Sequence, residues 1–150
     1  MTGHEFVQEN DASRQEMAAL IAGLDERSFA LAVGSGWTVS SLLGHLAFWD
    51  QRVCYLLKHW RAAGFEPSSL GGLTVDSINQ AVKALAQAIP GGAAARLAME
   101  SAAAADAQAA QASDELAQQI LDAGLTWVLQ RYAHRREHLR QMRQALESRR

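Results

Sequence analysis

Large apolar residues recur every three or four positions between residues 39 and 60. An α-helix turns about 100° per residue, so side chains with this spacing lie on one face of a helix. The pattern predicts a long helix that begins after a capping Thr38 or Ser40 and extends to about Ala63. Its apolar face comprises Val39, Leu42, Leu46, Trp49, Val53, Leu56, Leu57 and Trp60.

Three other segments carry helical patterns long enough to pack beside this helix. They cover residues 5–24, 93–112 and 125–146, and shorter helical stretches are predicted at 75–89 and 114–123. Twelve residues of 93–112 are alanine, which favours helix and lets neighbouring helices approach closely. No segment shows the apolar–polar alternation of a half-buried strand. The sequence therefore predicts a single all-α domain, a four-helix bundle with a connector at 25–36 and a loop at 64–73.

The composition is that of one globular domain of 150 residues. The net charge of −2 gives no general attraction to nucleic acid or to anionic lipid. Seven of the fourteen basic residues follow position 130, but Tyr132 is the only aromatic ring among them. Because nucleic-acid surfaces usually interleave aromatic and basic residues, we interpret this helix as a solvated face and expect no nucleic-acid partner.

Cysteine content and hydropathy bear on the cellular compartment. Cys54 is the only cysteine, which excludes an internal disulfide and a cysteine-based zinc site, and its apolar setting predicts a buried thiol. No apolar run reaches the roughly 18 residues that a membrane span needs. The first residues, MTGHEFVQENDASRQ, lack the basic and apolar parts of a signal peptide. We expect a cytoplasmic protein with no membrane partner.

Three histidines lie on the predicted helices at positions suited to metal binding. His45 lies at the edge of the apolar face of the second long helix, while His134 and His138 are four residues apart on the last helix. Such a pair has Cβ atoms about 5–6 Å apart, so both imidazoles can reach one metal ion at about 2.0–2.1 Å. A third histidine from another helix would leave an open position for water or substrate. Nitrogen ligands of this kind suit zinc, nickel or ferrous iron.

Each of these histidines also has a purely structural interpretation. An H-x-x-x-H pair flanked by arginines is often part of a solvated helix face, and His45 alone could be a hydrogen-bonded residue at a helix edge. The pair lacks the glutamate of H-E-x-x-H, so a zinc-protease motif is excluded. We assign no function to His4 or His59. The residues by themselves leave the metal-binding and structural interpretations open.

Two stretches of the sequence resemble the DinB-like four-helix-bundle superfamily. GWTVSSLLGHLAFWDQRV is similar to the superfamily segment that carries the first metal-binding histidine, and the matching residues are Trp37, Thr38, Val39, His45, Leu46, Trp49 and Asp50. RYAHRREHLRQMRQAL resembles the closing helix of the same superfamily, in which His134 and His138 match the other two ligands. The resemblance extends from about residue 12 to 147 and is weakest over 64–124.

This resemblance implies a fold, a cofactor and a class of activity. The fold would be an up-down-down-up bundle with a long crossover between its second and third long helices. A divalent metal ion would be held by the three histidines at one end of the bundle. Several members of the superfamily are transferases or isomerases that use a low-molecular-weight thiol such as mycothiol, bacillithiol or glutathione. Members are often dimers, so we expect a homodimer that acts on a small-molecule substrate.

The implied chemistry also suggests substrate-binding residues. A metal-bound thiol loses its proton at neutral pH, and the thiolate then attacks an electrophilic carbon of a second substrate. Arg52 and Arg131 are candidates for binding a substrate carboxylate, although surface ion pairs are the alternative for both. Trp49 is a candidate substrate contact or a core residue, and the helical angle of Asp50 places it away from His45.

A different functional class stays open beside the enzyme. In this second class, the chain is a non-catalytic helical bundle, a stress-related protein that binds or sequesters a small ligand.

Overall fold

The computed structural model describes residues 5–67 and 75–149, and α-helices dominate both stretches. The helices are α1 (Glu5–Ala22), α2 (Glu26–Phe29), α3 (Val39–Ala63), α4 (Val75–Ala88), α5 (Gly91–Ala110), α6 (Asp114–Asp122), α7 (Thr126–Leu129) and α8 (Arg131–Ser148). The strands are β1 (Ala32–Gly34) and β2 (Trp37–Thr38). The long helices α1, α3, α5 and α8 confirm the predicted four-helix bundle.

The start of α3 is fixed by a capping box on Thr38, one of the two capping residues that the sequence predicted. The Thr38 hydroxyl accepts a hydrogen bond of 3.1 Å from the backbone N–H of Ser41. In return, the Ser41 hydroxyl accepts a bond of 2.8 Å from the backbone N–H of Thr38. Two of the N–H groups that a helix start leaves without partners are thereby satisfied.

Helices α1 and α8 run parallel to each other. Near the start of α8, the backbone N–H of Tyr132 donates to Asn10 Oδ1 at 2.9 Å. Further along both helices, Arg136 Nη2 contacts Glu16 Oε1 at 3.2 Å. Residue numbers therefore rise together along the two helices.

Helices α3 and α5 are also parallel, and α3 runs opposite to α8. The Ser40 hydroxyl bonds Ile89 O just before α5, and Arg61 Nη1 bonds Gln108 Oε1 near the ends of both helices. Toward α8, His45 contacts His134, whereas residue 50 contacts the earlier residue 131. The order of directions is up-down-down-up, as predicted.

The crossover from α3 to α5 includes α4, which packs against α3. A Cβ added at Gly44 would lie 3.1 Å from the Cβ of Ala86, so glycine permits this close approach. The predicted helix at 75–89 is confirmed. Residues 64–67 of the predicted loop at 64–73 are not α-helical, and the rest of that prediction lies outside the described residues.

The alanine-rich helix α5 packs closely against α3, as its composition predicted. Its buried positions are almost all small: Ala94, Ala95, Ala98, Ser101, Ala102, Ala105, Asp106 and Ala109. The large apolar residues of the core come mainly from α3, where Leu43, Leu46, Leu57 and Trp60 are almost completely buried. Small residues on one helix thus accommodate large residues on the other.

The prediction that the connector at 25–36 contains no strand is wrong. Strands β1 and β2 form a short antiparallel hairpin, in which Ala32 pairs with Thr38 and Gly34 with Trp37. Its turn requires positive φ angles at three consecutive residues, with φ of 110° at Gly34, 53° at Ser35 and 80° at Gly36. Strands of three and two residues are too short to show an alternating pattern in the sequence.

The predicted last helix at 125–146 is interrupted at Gln130. This residue separates α7 from α8 and has φ −92° and ψ 64°, outside the helical region. The side chain of Asn10 bridges the interruption, since its Nδ2 donates to Leu129 O at 2.8 Å and its Oδ1 accepts from the N–H of Tyr132. The amide of a distant residue thus replaces hydrogen bonds that a continuous helix would have supplied itself.

The core consists of two apolar clusters. One contains residues from the end of α3, α6 and α7, among them Val53, Leu57, Trp60, Ile120 and Leu129. The other contains residues from the start of α3 and the end of α8, among them Leu42, Leu43, Leu46, Leu139 and Met142. Within the described residues, no helix is long and apolar enough to cross a membrane.

Candidate metal centre

The three predicted histidines meet where α3 faces α8. His134 Nε2 lies 3.0 Å from His45 Nε2 and 3.1 Å from His138 Nε2. One ring nitrogen from each residue lies within 4.8 Å of the other two. The rings are tilted or edge-on to one another, with centroids 4.7–5.0 Å apart. Side chains 89 residues apart in sequence therefore converge on one point.

This arrangement fits a shared cation better than a set of hydrogen bonds. The Nε2 atom of an imidazole offers either one N–H or one lone pair, so that of His134 cannot make two good hydrogen bonds to both neighbours. Two nitrogens at about 2.0–2.1 Å from a tetrahedral ion are about 3.3 Å apart, close to the observed separations. A divalent ion would engage all three lone pairs at once.

Burial keeps the three imidazoles neutral. It lowers the pKa of His45 to about 4, with further lowering from the nearby charges of His138 and Arg131. It likewise lowers the pKa of His134 to about 2, with Arg131 as the next cause. The pKa of His138 is also lowered by burial, against the opposing effect of a hydrogen bond to Gln141. Neutral imidazole is the form that binds a metal ion.

The Nδ1 atoms of the rings have different surroundings. His138 Nδ1 lies 2.9 Å from Gln141 Oε1, which places the proton on Nδ1 and leaves the Nε2 lone pair for a ligand. His134 Nδ1 lies 3.2 Å from Arg131 Nη2, a group that can only donate. An ion on Nε2 of His134 would move its proton to Nδ1, so this contact would have to open. His45 Nδ1 is buried and has no hydrogen-bond partner among the described residues.

The histidine cluster faces a cavity of about 690 Å³, a volume that suits a small organic ligand. The hairpin, α3, α4, α7 and α8 all contribute to its wall. Its described lining residues are Val33, Gly34, Ser35, Trp37, Leu42, His45, Trp49, Val75, Asp76, Asn79, Gln80, Trp127, Arg131, His134, His138 and Gln141. One side of the cluster is thus open to a molecule that enters the cavity.

Comparison with known proteins places the chain in a family. Residues 11–138 match the family described as the mycothiol maleylpyruvate isomerase N-terminal domain. The chain belongs to this family. The family is a branch of the DinB-like helical superfamily, which confirms the resemblance found in the sequence. Searches among curated proteins and among solved structures each gave no match.

In this family member, the histidine cluster adjoins a buried network of ion pairs. Asp50 accepts from Arg131 Nε at 2.7 Å and from Arg135 Nε at 3.2 Å. Arg135 also donates two parallel hydrogen bonds to the carboxylate of Asp106, of 2.8 Å from Nη1 and 2.7 Å from Nη2. These four side chains are all at least 94% buried, and Asp50 is the carboxylate that the two arginines share.

Asp50 thus acts on the histidine cluster indirectly. It does not touch the ring of His45, in agreement with its helical angle, but it holds Arg131, whose Nη2 contacts His134. Sequence reasoning missed this link. Spacing along one helix gives the angle between Asp50 and His45, whereas the link passes through a residue 81 positions away.

The structure places two of the three predicted substrate-binding residues at the cavity. Trp49 and Arg131 line it, whereas Arg52 is not among its described lining residues. The Trp49 indole donates to Asn79 Oδ1 at 2.8 Å. The role of all three in binding substrate stays a prediction.

Sequence reasoning did not assign Trp37, Asn79, Trp127 or Gln141 to the site. Gln141 could have been found, because it follows His138, a candidate ligand, by three residues on a helix and so shares its face. Trp37 belongs to the motif that carries the family resemblance. For Asn79, on α4 beyond the crossover loop, the sequence offers no comparable signal.

Proposed function

We propose that this chain is a metal-dependent enzyme in which His45, His134 and His138 hold one divalent ion, zinc, nickel or ferrous iron. The observation that carries the proposal is the convergence of three Nε2 atoms beside an open cavity. Three nitrogen ligands with a free side are typical of catalytic metal sites, whereas structural zinc sites have four protein ligands. The depressed pKa values favour the neutral, metal-binding form of the rings.

The proposed reaction is thiol-dependent transfer or isomerisation on a small electrophile. A divalent ion held by His45, His134 and His138 would supply Lewis acidity, which lowers the pKa of a thiol. The family description, which names mycothiol and an isomerase, supports a low-molecular-weight thiol as cosubstrate. The indoles around the cluster would exclude water from the reacting groups, which strengthens electrostatic interactions there. A homodimer in the cytoplasm remains our expectation for the assembled protein.

Metal analysis tests the ligand assignment. Protein purified without a histidine tag and supplied with zinc, nickel or ferrous iron should hold about one divalent ion per chain. His134→Ala and His138→Ala should each remove it, whereas His59→Ala should retain it, because His59 is an exposed histidine of α3 outside the cluster. Stoichiometric metal in the His134/His138 double variant would show that the ligands are wrong.

Turnover separates the enzyme from the alternative, a bundle that only binds or sequesters a ligand. A panel of thiols, including mycothiol, bacillithiol and glutathione, is combined with electrophilic substrates in the presence and absence of the metal. The proposal expects metal-dependent consumption of one thiol and electrophile pair, lost in His134→Ala. Tight binding of the same compounds without any turnover would instead support the binding protein.

A further inference from the structure

The contact between Arg131 and His134 fixes where the ring of His134 carries its proton. A guanidinium nitrogen can only donate a hydrogen bond, and Arg131 Nη2 lies 3.2 Å from His134 Nδ1. His134 Nδ1 is therefore an acceptor with a lone pair, which a doubly protonated ring does not have. The ring is neutral, and its single proton lies on Nε2.

The other two rings carry their protons on the opposite nitrogen. His138 Nδ1 lies 2.9 Å from Gln141 Oε1, which can only accept, so His138 has its proton on Nδ1 and a lone pair on Nε2. His45 Nε2 lies 3.0 Å from the protonated Nε2 of His134, where a second N–H would meet the first, so it also presents a lone pair. His45 and His138 are thus in the form that binds metal through Nε2, and His134 is not.

These hydrogen bonds form one directed chain across the histidine cluster. Asp50 accepts from Arg131 Nε at 2.7 Å, and Arg131 Nη2 donates to His134. The Nε2–H of His134 lies 3.1 Å from the lone pair of His138 Nε2, and His138 donates in turn to Gln141. The proton at the centre of this chain therefore lies where the three Nε2 atoms converge.

Arg131 is held too firmly to follow a change at His134. Its Nε bonds the completely buried Asp50, its Nη1 donates to Trp127 O at 2.9 Å, and its side chain is only 2% exposed. With two nitrogens held, the planar guanidinium keeps Nη2 directed at His134. If His134 bound an ion through Nε2, its proton would lie on Nδ1, and two donors would face each other.

This contact is the reverse of the usual support for a metal-binding histidine. Such a histidine normally donates its other N–H to a carboxylate, a carbonyl or water, which fixes the metal-binding form of the ring. Gln141 supplies that kind of acceptor to His138. Arg131 instead presents a donor to His134 and so stabilises the form that cannot bind metal through Nε2.

We propose that Arg131 is a positioning residue that regulates the metal site, because it holds a proton on His134 Nε2 that a divalent ion must displace. The ring keeps one proton throughout: the N–H bond at Nε2 breaks, one forms at Nδ1, and the freed Nε2 lone pair binds the ion. The contact with Arg131 opens in this step. The effect on metal rests on the proposed function, whereas the position of the proton is a property of the metal-free chain.

Nitrogen NMR of isotopically labelled protein tests the proton positions directly, because the chemical shifts of an imidazole distinguish an N–H from a lone pair. In the unaltered chain, freed of metal by a chelator, His134 should carry its proton on Nε2 and His138 on Nδ1. Variants His134→Gln and His138→Gln assign the signals. On addition of zinc, the proton of His134 should move to Nδ1. A proton on His134 Nδ1 before zinc is added would overturn the inference.

A variant of Arg131 tests the effect on metal binding. Arg131→Met removes the donor to His134, while Asp50 keeps its hydrogen bond of 3.2 Å from Arg135. We expect the affinity for zinc to rise at least about tenfold, because a charge-assisted hydrogen bond no longer competes with the ion. Competition with a metal-binding dye measures the affinity. Unchanged or weaker zinc binding in folded Arg131→Met would overturn the inference.

Arg14→Met is the matched control for this variant. Arg14 lies 3.4 Å from Asp106 of the same ion-pair network and contacts none of the three rings within the described residues, so its loss should leave zinc affinity unchanged. Loss of the positive charge of Arg131 would by itself favour a cation, but that charge alone would not place the His134 proton on Nε2. The NMR measurement therefore separates the hydrogen bond from the charge, and it needs no variant of Arg131 that folds.

The results distinguish this inference from the proposed function. If zinc bound at the three histidines but His134 carried its proton on Nδ1 in the metal-free chain, the inference would fail and the metal site would stand. If zinc, nickel and ferrous iron bound only to Arg131→Met, the inference would stand, and the proposed metal-dependent activity of the unaltered chain would be wrong. If neither chain bound any of these ions, both would fail.

Discussion

Two polar clusters lie side by side between α3 and α8, and they differ in how their hydrogen-bonding groups are satisfied. In the ion-pair network, Asp50 and Asp106 supply acceptors for the donors of Arg131 and Arg135. In the histidine cluster, three like nitrogens face one another, and no carboxylate contacts any of the three rings within the described residues. One cluster is complete without a ligand, and the other is not.

This difference indicates separate roles for neighbouring groups. Buried charges with opposite partners hold the helices in register, and loss of one partner leaves a charge without compensation. Like groups with lowered pKa values, gathered beside a cavity, indicate a site that an external ligand completes. Arg131 belongs to both clusters, because it bonds Asp50 and contacts His134. Positioning of His134 is thus tied to the stability of the bundle.

The largest expected effect is the loss of stability on breaking the ion-pair network. Asp50→Ala would leave Arg131 and Arg135 without their shared carboxylate in a buried setting, so we expect the free energy of unfolding to fall by about 3–5 kcal/mol. Urea denaturation of the metal-free chain measures it. Glu137→Ala removes an exposed ion pair with Arg140 and should cost less than about 1 kcal/mol. Similar losses of unfolding free energy in Asp50→Ala and Glu137→Ala would show that the buried network stabilises the fold no more than an exposed ion pair does.

Acidification should destabilise the histidine cluster in the metal-free chain. The folded-state pKa values of about 4 for His45 and about 2 for His134 lie below the ordinary value of 6.5, so the unfolded chain binds more protons as the pH falls. The corresponding stability is fully present above about pH 6.5 and is lost progressively as the pH falls toward 4 and below. Each imidazole contributes at most about 1.4 kcal/mol per pH unit.

Denaturant titrations between pH 7 and 4.5 measure this slope. His45→Gln and His134→Gln should each make the dependence on pH shallower, because each removes an imidazole whose pKa is lowered in the folded chain. The double variant His45→Gln/His134→Gln provides the decisive comparison. If its free energy of unfolding depended on pH as steeply as that of the unaltered chain, other groups would be responsible for the titration.

The smallest expected effect concerns Gln141, which contacts the ring of the candidate ligand His138 and lies outside the group of candidate ligands. Gln141→Ala would remove the acceptor for His138 Nδ1, and we expect metal affinity to fall about 10–100-fold while the fold is retained. Competition with a metal-binding dye measures the affinity. Gln144→Ala, an exposed glutamine of the same helix, is the matched control. No difference between these variants would mean that Gln141 has no part in orienting the ring.

Sequence patterns predicted the helices well where each pattern is long. The apolar spacing of residues 39–60 and the alanine content of 93–112 gave α3 and α5 almost to their ends, because both signals repeat over several turns. The hairpin at 32–38 was missed since its strands are too short for any pattern. The interruption at Gln130 was missed because it is compensated by Asn10, which is 120 positions away in the chain.

In the candidate site, too, the sequence predicted some features, and others depend on contacts between distant residues. Motif order and spacing nominated His45, His134 and His138, and the fold brings them together. The pairing of Arg131 with Asp50 and the orientation of Asn79 by Trp49 were not predicted. Such contacts depend on which faces of different helices meet, and several arrangements of helices satisfy the same local patterns.

The sequence by itself therefore determined the helical class, the family and the three residues able to hold a metal ion, because these depend on periodicity and on residue type at fixed spacing. Only the tertiary structure decided that Arg131 is already neutralised and that three indoles surround the open side of the cluster. The physical reason is one of range. Helical periodicity acts over a few residues, whereas burial and charge compensation are set by side chains about 80 positions apart.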